Sequence, residues 1–293
     1  KPDATGDTVR LKPDATGDLV RLKPDSTGAS ALTGDVKIAI LDSAGKTVRT
    51  LTGTKRAGIN RVWWDLTWEP SKDVRLRTSP EGHEHIKIGA EGSRPLVDWG
   101  GRVTPRVAPG TYTVKLSVGG QDFTQKLVVK KDPNAAGSEA DVQAQVKMLL
   151  EIRDQSSNAA DALNQLESMR KQILDLNVML KDDASKAAVV KAGADLEKKL
   201  RDLERAFFDQ RLTGGSQDAL RWPVRLYAKL SALAGDVSSG DFAPTSQAKE
   251  VHALLTKQLN DALGQLDNLL SGDIAGFNKL LRDKNVGPVV VGK

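Results

Sequence analysis

The chain has 293 residues, with 43 lysines and arginines, 38 aspartates and glutamates, three histidines and no cysteine. This length predicts one large or two ordinary domains with a substantial core. The lack of cysteine excludes disulfide bonds, thiolate metal sites and cysteine nucleophiles, and no apolar run is long enough to span a membrane. Because the sequence starts within a repeat and without a methionine, we expect a fragment or a processed form.

The net charge of +5 is unevenly distributed along the chain. Residues 1–33 are neutral, residues 34–133 hold 17 basic and 11 acidic residues, and residues 134–293 hold 21 and 22. In the basic segment, residues such as Arg49 and Arg61 alternate with apolar positions of predicted strands, as on the solvent-facing side of a sheet. Nucleic-acid binding is expected to show a basic stripe with stacking aromatics instead, so we predict no nucleic-acid partner.

The first 33 residues contain three copies of an 11-residue repeat that begins KPDATGD, KPDATGD and KPDSTGA. Each copy has only two or three apolar side chains, and its proline and glycine interrupt any helix. Such a segment cannot bury enough apolar surface to offset its chain entropy. We predict a linker over residues 1–33. An Asp-rich calcium repeat is the alternative, but the glycine density and ligand spacing of such repeats are missing.

Residues 34–133 show short runs of alternating apolar residues that are typical of strands. Between them, the residues before Gly45 and the pair Gly119-Gly120 read as turns, the second one joining a hairpin. The predicted strands cover residues 36–41, 47–51, 61–66, 111–118 and 123–129. Several short antiparallel strands separated by turn signals predict a β-sandwich.

A resemblance to a known module supports this interpretation. The sequence contains the strings LDSAGKTVRTL, GINRVWWDL and APGTYTVKL, and these resemble the immunoglobulin-like domain of the flagellar hook-capping protein. The same module serves as an accessory domain in many secreted bacterial proteins, and it implies an Ig-like antiparallel β-sandwich. In those modules a short turn joins the last two strings. Here residues 70–108 form a long insertion, and long loops carry function more often than short ones.

Four of the five tryptophans lie in or near this insertion, and with two arginines they form our candidate ligand surface. Consecutive strand residues point to opposite faces, so either Trp63 or Trp64 should lie away from the sandwich core. That ring is expected either to pack under the insertion or to form an exposed sugar-stacking platform. The candidate surface comprises Trp63, Trp64, Trp68, Trp99, Arg75 and Arg77.

Two histidines of the insertion are weak candidates for metal binding. On a strand, His83 and His85 would share a face, but no third ligand is marked nearby. We expect a polar loop tip instead. Glu250 and His252 are two residues apart and do not share a helical face, so a di-metal centre is not expected. The sequence predicts no cofactor.

Residues 134–293 have the apolar spacing of amphipathic helices. Ser138 reads as an N-cap with Asp141 in a capping-box position, and the helix that follows runs to about residue 180, or about 60 Å, with a kink expected at 156–158. Further helices are predicted over residues 184–209, from near 223, from 244–245 and over 273–283. Short connections between them favour an antiparallel, four-helix-type bundle. The whole chain therefore predicts a multidomain β + α architecture.

The order of these modules carries a wider resemblance. An Ig-like module, then KDPNAAGSEADVQAQ, then helices closing with DFAPT and DIAGFNKLLRD is similar to the C-terminal region of large secreted bacterial proteins that have a sortilin-type, Asp-box β-propeller. These proteins are often labelled glycosyl hydrolases. The resemblance implies a secreted or periplasmic parent protein whose propeller precedes this region. No Asp-box repeats occur in this chain, so no catalytic residue of that family can be assigned.

Our leading functional hypothesis is a non-catalytic accessory region that supports docking or assembly of the missing N-terminal domain. The chain has no nucleophile elbow, phosphate-binding loop or zinc-protease motif. A glycosidase needs two carboxyl groups across a cleft, and nothing singles out Asp65, Glu69 or Asp98 for that role. The alternatives are a carbohydrate- or polymer-binding module that uses the Trp-rich β-domain, and a self-assembling structural protein.

Overall fold

The computed structural model describes residues 35–56, 58–97, 101–215 and 217–291. The predicted linker over residues 1–33 and the candidate residue Trp99 lie outside the described residues. Within the described part, a small antiparallel sheet is followed by a set of helices. The chain therefore has the mixed β and α content that its sequence predicts.

Six strands occur among the described residues before the helices. They are β1 (Lys37–Leu41), β2 (Thr47–Thr52), β3 (Arg75–Leu76), β4 (Arg94–Pro95), β5 (Gly110–Val118) and β6 (Gln121–Val129). Four of them form one antiparallel sheet in the order β2-β1-β5-β6, and the short strands β3 and β4 pair separately. Four of the five predicted strands are thus present within a residue or two of their expected positions.

Two glycine turns set the register of this sheet. Gly45 has a φ of 79° in the β1–β2 turn, where the Asp42 carboxylate accepts the backbone N–H groups of Ala44 and Lys46, both at 2.9 Å. Gly119 and Gly120 have φ values of 58° and 77°, which is the pair of left-handed residues that a tight two-residue hairpin requires. Both predicted turns are confirmed.

The predicted third strand over residues 61–66 is wrong. This segment is irregular, and beyond it the chain makes a single antiparallel bridge between Thr67 and Arg106. Leu66 has a left-handed φ of 57°, and Pro105 lacks an N–H group. Both features interrupt a β-ladder, so the alternating sequence pattern does not produce a regular strand.

The irregular segment still covers one face of the sheet. Trp68 donates its backbone N–H to the carbonyl of Pro105 at 2.8 Å, and Val107 donates to the carbonyl of Leu66 at 2.8 Å. These bonds hold two non-strand segments together over β1, β2 and β5. The buried core beneath them consists of Ile40, Val48, Trp68, Val107 and Tyr112.

Five α-helices make up the rest of the described chain. They are α1 (Glu139–Leu180), α2 (Ala187–Phe207), α3 (Leu226–Val237), α4 (Ser246–Asn268) and α5 (Ala275–Asp283), with a π-helical turn at Leu269–Ile274 between the last two. The helix starts and ends lie within about three residues of the predicted positions. None of the described helices combines the length and apolar character needed to cross a membrane.

Helix α1 begins at the predicted cap. The Ser138 hydroxyl accepts the Asp141 N–H at 3.1 Å, and the Asp141 carboxylate accepts the Ser138 N–H at 2.9 Å, which completes a capping box. The helix then continues for 42 residues without interruption through residues 156–158, where we expected a kink. It is the central element against which α2, α3 and α4 pack.

The helical core also contains residues of the insertion. Leu163, Leu166 and Met169 of α1 are fully buried in this core. Val74, Leu76 and Val103, from the insertion between the Trp-rich segment and β5, belong to the same buried cluster. The long insertion therefore packs on the helices rather than extending the β-sheet.

Candidate functional site

Two side chains of α1 bind the backbone of the insertion at β3. The Asn164 amide accepts the Arg75 N–H at 2.7 Å and donates to the Asp73 carbonyl at 2.9 Å. One turn further along, the Glu167 carboxylate accepts the N–H and the hydroxyl of Thr78 at 2.8 and 2.7 Å. Residues three apart lie on one helix face, so α1 holds β3 by side-chain bonds in place of a neighbouring strand.

A buried charge cluster lies directly behind this contact. The Arg170 guanidinium donates to Glu167 and to Glu197, both at 2.9 Å, and it also contacts the Glu204 carboxyl group. The Arg170 side chain is 8% exposed and that of Glu204 is fully buried. One arginine therefore neutralises carboxyl groups from two helices while all of them are removed from water, where unpaired charge is costly.

Burial disfavours the ionised form of Glu204 in this cluster. Burial, followed by the nearby Glu167 carboxyl, raises the pKa of Glu204 well above its usual value, against the opposing effect of Arg170. Its Oε1 atom meets no donor among the described residues, so this oxygen has no hydrogen bond that would stabilise a negative charge. Burial alone would lower the pKa of Arg170, but the surrounding carboxyls outweigh it and raise that pKa.

A cavity of about 370 Å³ opens beside the cluster. We call it the insertion cavity, since residues of the insertion form one wall. The other walls are formed by α1, by α2 and by the residues directly after α2. Its volume lies within the range of small-molecule sites. The lining side chains used below are Arg77, Arg94, Arg201 and Gln210, beside the apolar Leu174 and Phe208.

Three buried polar atoms of this cavity wall have no hydrogen-bond partner among the described residues. They are Nε of Arg77, Nε of Arg201 and Oε1 of Gln210. The Gln210 amide nitrogen donates to the Arg201 carbonyl at 3.0 Å, which fixes the amide orientation and leaves the oxygen as the free acceptor. Buried polar groups in folded proteins are nearly always paired with protein or solvent, so this cavity is polar and able to bind.

The structure separates the two arginines that the sequence grouped together. Arg75 is exposed, whereas Arg77 lines the insertion cavity. Residues two apart in an extended chain share a face, but β3 ends at Leu76, so the alternation of the strand does not fix Arg77 to the face of Arg75. Only Arg77 of this pair therefore belongs to the site.

The tryptophans do not form a joint ligand surface in the described part of the chain. Trp68 is 6% exposed, and Trp64 packs edge-on against Tyr112 with 5.7 Å between ring centroids. Trp63 is 67% exposed, with the Arg61 guanidinium 5.7 Å from its ring centroid. One of the two paired tryptophans, Trp63, therefore lies away from the core, as expected. Of the two alternatives for this ring, packing under the insertion is wrong, because the ring is exposed.

The two histidines of the insertion lie in consecutive turns. Their ring centroids are 5.7 Å apart, and the His83 N–H and carbonyl both bond within the loop, to Pro80 and Ile86. In the described residues, no group of three or more His, Cys, Asp or Glu side chains is arranged to hold a metal ion. His252 instead hydrogen-bonds to Gln155 of α1 at 3.0 Å.

Sequence reasoning missed the buried cluster, although a signal was present. Glu167 and Arg170 lie between the apolar positions of α1, and they fall on the same side of the helix as Leu163 and Leu166. Glu197 and Glu204 are seven residues apart on α2, which places them on one face. Charged residues at the spacing of core positions indicate a buried polar network, whereas solvated charges would lie on the opposite face.

Comparison with known protein families, with curated proteins and with solved structures finds no match to this chain. Function must therefore be argued from the arrangement of the residues. That arrangement consists of a sheet and a helical part joined by the insertion, with a polar cavity at the junction. Chemically, the cavity offers guanidinium donors and an amide acceptor, which suit binding of a small polar molecule.

Proposed function

We propose that this chain is a non-catalytic accessory region of a secreted or periplasmic protein, one that supports docking or assembly of an N-terminal β-propeller domain. In this proposal the β part is an Ig-like sandwich of the hook-capping type and the α part is an antiparallel helical bundle. The resemblance of the module order to propeller proteins is its starting point. Its fold would serve as a rigid support whose shape, rather than any reaction, is the functional property.

The observation that carries the proposal is the way the insertion ties the two parts together. Val74, Leu76 and Val103 are buried among the helices, while Trp68 at the start of the same connection is buried in the sheet core. From the other side, Leu150 of α1 packs against the sheet core. A support must hold its ends at a constant spacing, and a connection buried at both ends favours that role.

The carboxyl groups near the tryptophans favour a structural role over glycoside hydrolysis. A general acid needs a raised pKa, whereas a hydrogen bond from Thr67 lowers the pKa of Asp65. Glu69 accepts the Thr50 N–H at 2.8 Å and pairs with Arg49 at 3.6 Å. Asp65 is engaged within the irregular segment, and Glu69 holds that segment to the sheet.

Two measurements test the proposal. The coding sequence upstream of Lys1 is expected to encode an in-frame β-propeller, and a stop codon there would contradict the accessory role. The purified chain is expected to show no turnover on a panel of glycosides. Turnover that disappears in Asp65→Asn or Glu69→Gln, with the fold intact by circular dichroism, would show that the chain is an enzyme.

Polysaccharide binding through Trp63 is the second candidate, and the 67% exposure of this ring favours it. Stacking of a sugar on an aromatic face would change the indole emission. Titration of the protein with soluble polysaccharides should then shift the tryptophan fluorescence, and Trp63→Ala should remove the shift. As a control, Trp222→Phe should retain it, because the Trp222 ring is covered by the Arg211 guanidinium at 3.8 Å.

A further inference from the structure

The insertion cavity has an excess of unpaired positive charge in the described part of its wall. Arg77 has no ion pair there, and among the described residues the Arg94 guanidinium donates to carbonyl oxygens, of Thr78 at 3.0 Å and of Leu212 at 3.1 Å. A guanidinium that lacks a carboxylate partner is a ready binding group for one, because its planar fork matches the two carboxylate oxygens.

The acidic residues of the same wall are mostly paired with cations. Glu81 pairs with Arg205 at 2.6 Å, Asp175 with Lys171, and Glu197 with Arg170 at 2.9 Å and with Arg201 at 3.5 Å. Glu84 is left without an ion pair, and it is exposed to solvent, where its charge is screened. The cavity can therefore still neutralise the negative charge of a bound molecule.

The unpartnered atoms of the wall define what else the bound molecule should carry. The Nε atoms of Arg77 and Arg201 are buried donors that need an acceptor, and Oε1 of Gln210 is a buried acceptor that needs a donor. Gln210 is 5% exposed, and its amide nitrogen is already used. An anion with acceptor oxygens alone would satisfy the arginines but leave Gln210 unpaired, at the cost of a buried polar group.

We propose that the insertion cavity binds a small hydroxylated carboxylic acid, of which a uronic acid is the simplest probe. The ligand carboxylate would lie against the Arg77 guanidinium, with Arg94 and the Glu197-paired Arg201 adding positive charge, and a ligand hydroxyl would donate to Oε1 of Gln210. The apolar Leu174 and Phe208 of the same wall offer contact for the carbon skeleton. This site is separate from Trp63, and it holds whether or not the chain supports a propeller.

Isothermal titration of the full chain with glucuronate, glucose and sulfate tests the proposal. Glucuronate should bind, glucose should bind more weakly because it lacks the carboxylate, and sulfate should bind more weakly because its oxygens only accept and leave Gln210 without a donor. Arg77→Gln should lower the affinity for glucuronate by about tenfold or more, as expected for loss of a charge-assisted pair. Arg75→Gln is the matched control, since this nearby arginine is exposed and does not line the cavity, and it should leave the affinity unchanged.

A further variant separates the hydroxyl contact from the charge. Gln210→Met removes the free acceptor and should reduce the preference for glucuronate over acetate, with the unfolding transition checked by circular dichroism. The proposal is overturned if glucuronate does not bind at millimolar concentrations, or if Arg75→Gln weakens binding as much as Arg77→Gln. Tighter binding of sulfate than of glucuronate would also overturn it and would indicate an inorganic-anion site.

Discussion

Arg170 is the residue on which the junction between α1, α2 and the insertion depends. Its guanidinium contacts Glu167, Glu197 and Glu204 within a region that excludes water. Glu167 in turn accepts the backbone N–H of Thr78, so the arginine acts on the insertion through a single intermediate side chain. A buried pair adds little net stability compared with an apolar replacement, but removal of one partner leaves the other charge buried and unpaired.

Arg170→Leu should therefore lower the free energy of unfolding by about 3–5 kcal/mol. Glu167 and Glu204 would lose their ion-pair partner, and Glu197 would keep only Arg201 at 3.5 Å. Urea denaturation at neutral pH, followed by circular dichroism, measures the effect. Lys171→Met is the control, because the Lys171–Asp175 pair is exposed and such pairs contribute at most about 1 kcal/mol. Equal effects of the two variants would show that Arg170 is not a buried partner.

Glu204 should make the stability fall as the pH rises. Its pKa is raised well above the ordinary value of 4.5 that applies to the unfolded chain. Between these two values the folded protein binds one more proton than the unfolded chain. The contribution of this proton to stability is complete below the unfolded pKa and is lost progressively toward the folded pKa, by at most about 1.4 kcal/mol per pH unit.

Glu204→Gln should remove that part of the pH dependence, since glutamine stays neutral and can still accept from Arg170 and donate to Glu167. The variant should gain stability relative to the wild type as the pH rises from the ordinary value of 4.5 through neutrality. Urea midpoints measured across this window provide the test. Glu250→Gln, on an exposed position of α4, should run parallel to the wild type; a Glu204→Gln curve that also runs parallel would contradict the assignment.

At the scale of elements, β3 shows how a two-residue strand is held in place by a helix. It pairs with β4 on one side, and on the other the Asn164 amide bonds both the Arg75 N–H and the Asp73 carbonyl. This is the two-point contact that a neighbouring strand would make. Leu76 between them is fully buried in the helical core, so the short strand is anchored by both packing and hydrogen bonds.

Asn164→Ala should loosen the insertion without affecting the helix that carries it. The loss of two hydrogen bonds should lower the stability by about 1–3 kcal/mol, and amide exchange at Arg75 should become faster. Hydrogen-exchange mass spectrometry of peptides from the insertion and from α1 separates the two effects. Asn158→Ala, at an exposed position on the same helix, should change neither peptide, and equal exchange in all three proteins would contradict the role of Asn164.

Predicted helices and strands were correct where the residues that cause them are close together in the sequence, and wrong where a distant segment decides. The helix that starts at Ser138 was placed correctly because its cap lies within three residues of it. The hairpin at Gly119 and Gly120 was correct because only a left-handed pair closes so short a turn. The strand over residues 61–66 was wrong, because its fate depends on a left-handed Leu66 and on the distant segment around Pro105.

At the scale of the whole molecule, the sheet and the helices share a connection buried in both of their cores. Leu76 and Val103 lie in the helical core, and Trp68 lies in the sheet core. Further bonds add to this, such as the one from the Ser231 hydroxyl of α3 to the Gly101 carbonyl at 2.9 Å. Separation of the two parts would expose apolar side chains from both, which favours a single cooperative unit.

Unfolding should therefore be a single transition when two probes are compared. Circular dichroism at 222 nm reports on the helices, whereas tryptophan fluorescence is dominated by Trp63, Trp64 and Trp68 of the β part. The two urea curves should coincide. Two separate midpoints would show that the insertion does not couple the sheet to the helices, and would also weaken the proposed role as a rigid support.

By itself, the sequence determined the elements of this protein and their order, because caps, glycine turns and apolar periodicity act over a few neighbouring residues. It also pointed to the insertion and to Arg77 as part of a candidate surface. The tertiary structure alone decided that Arg77 lines a cavity while Arg75 faces solvent, and that Glu167 and Arg170 are buried. Those outcomes depend on which distant segments exclude water from a side chain, and burial of that kind is a property of the packed chain.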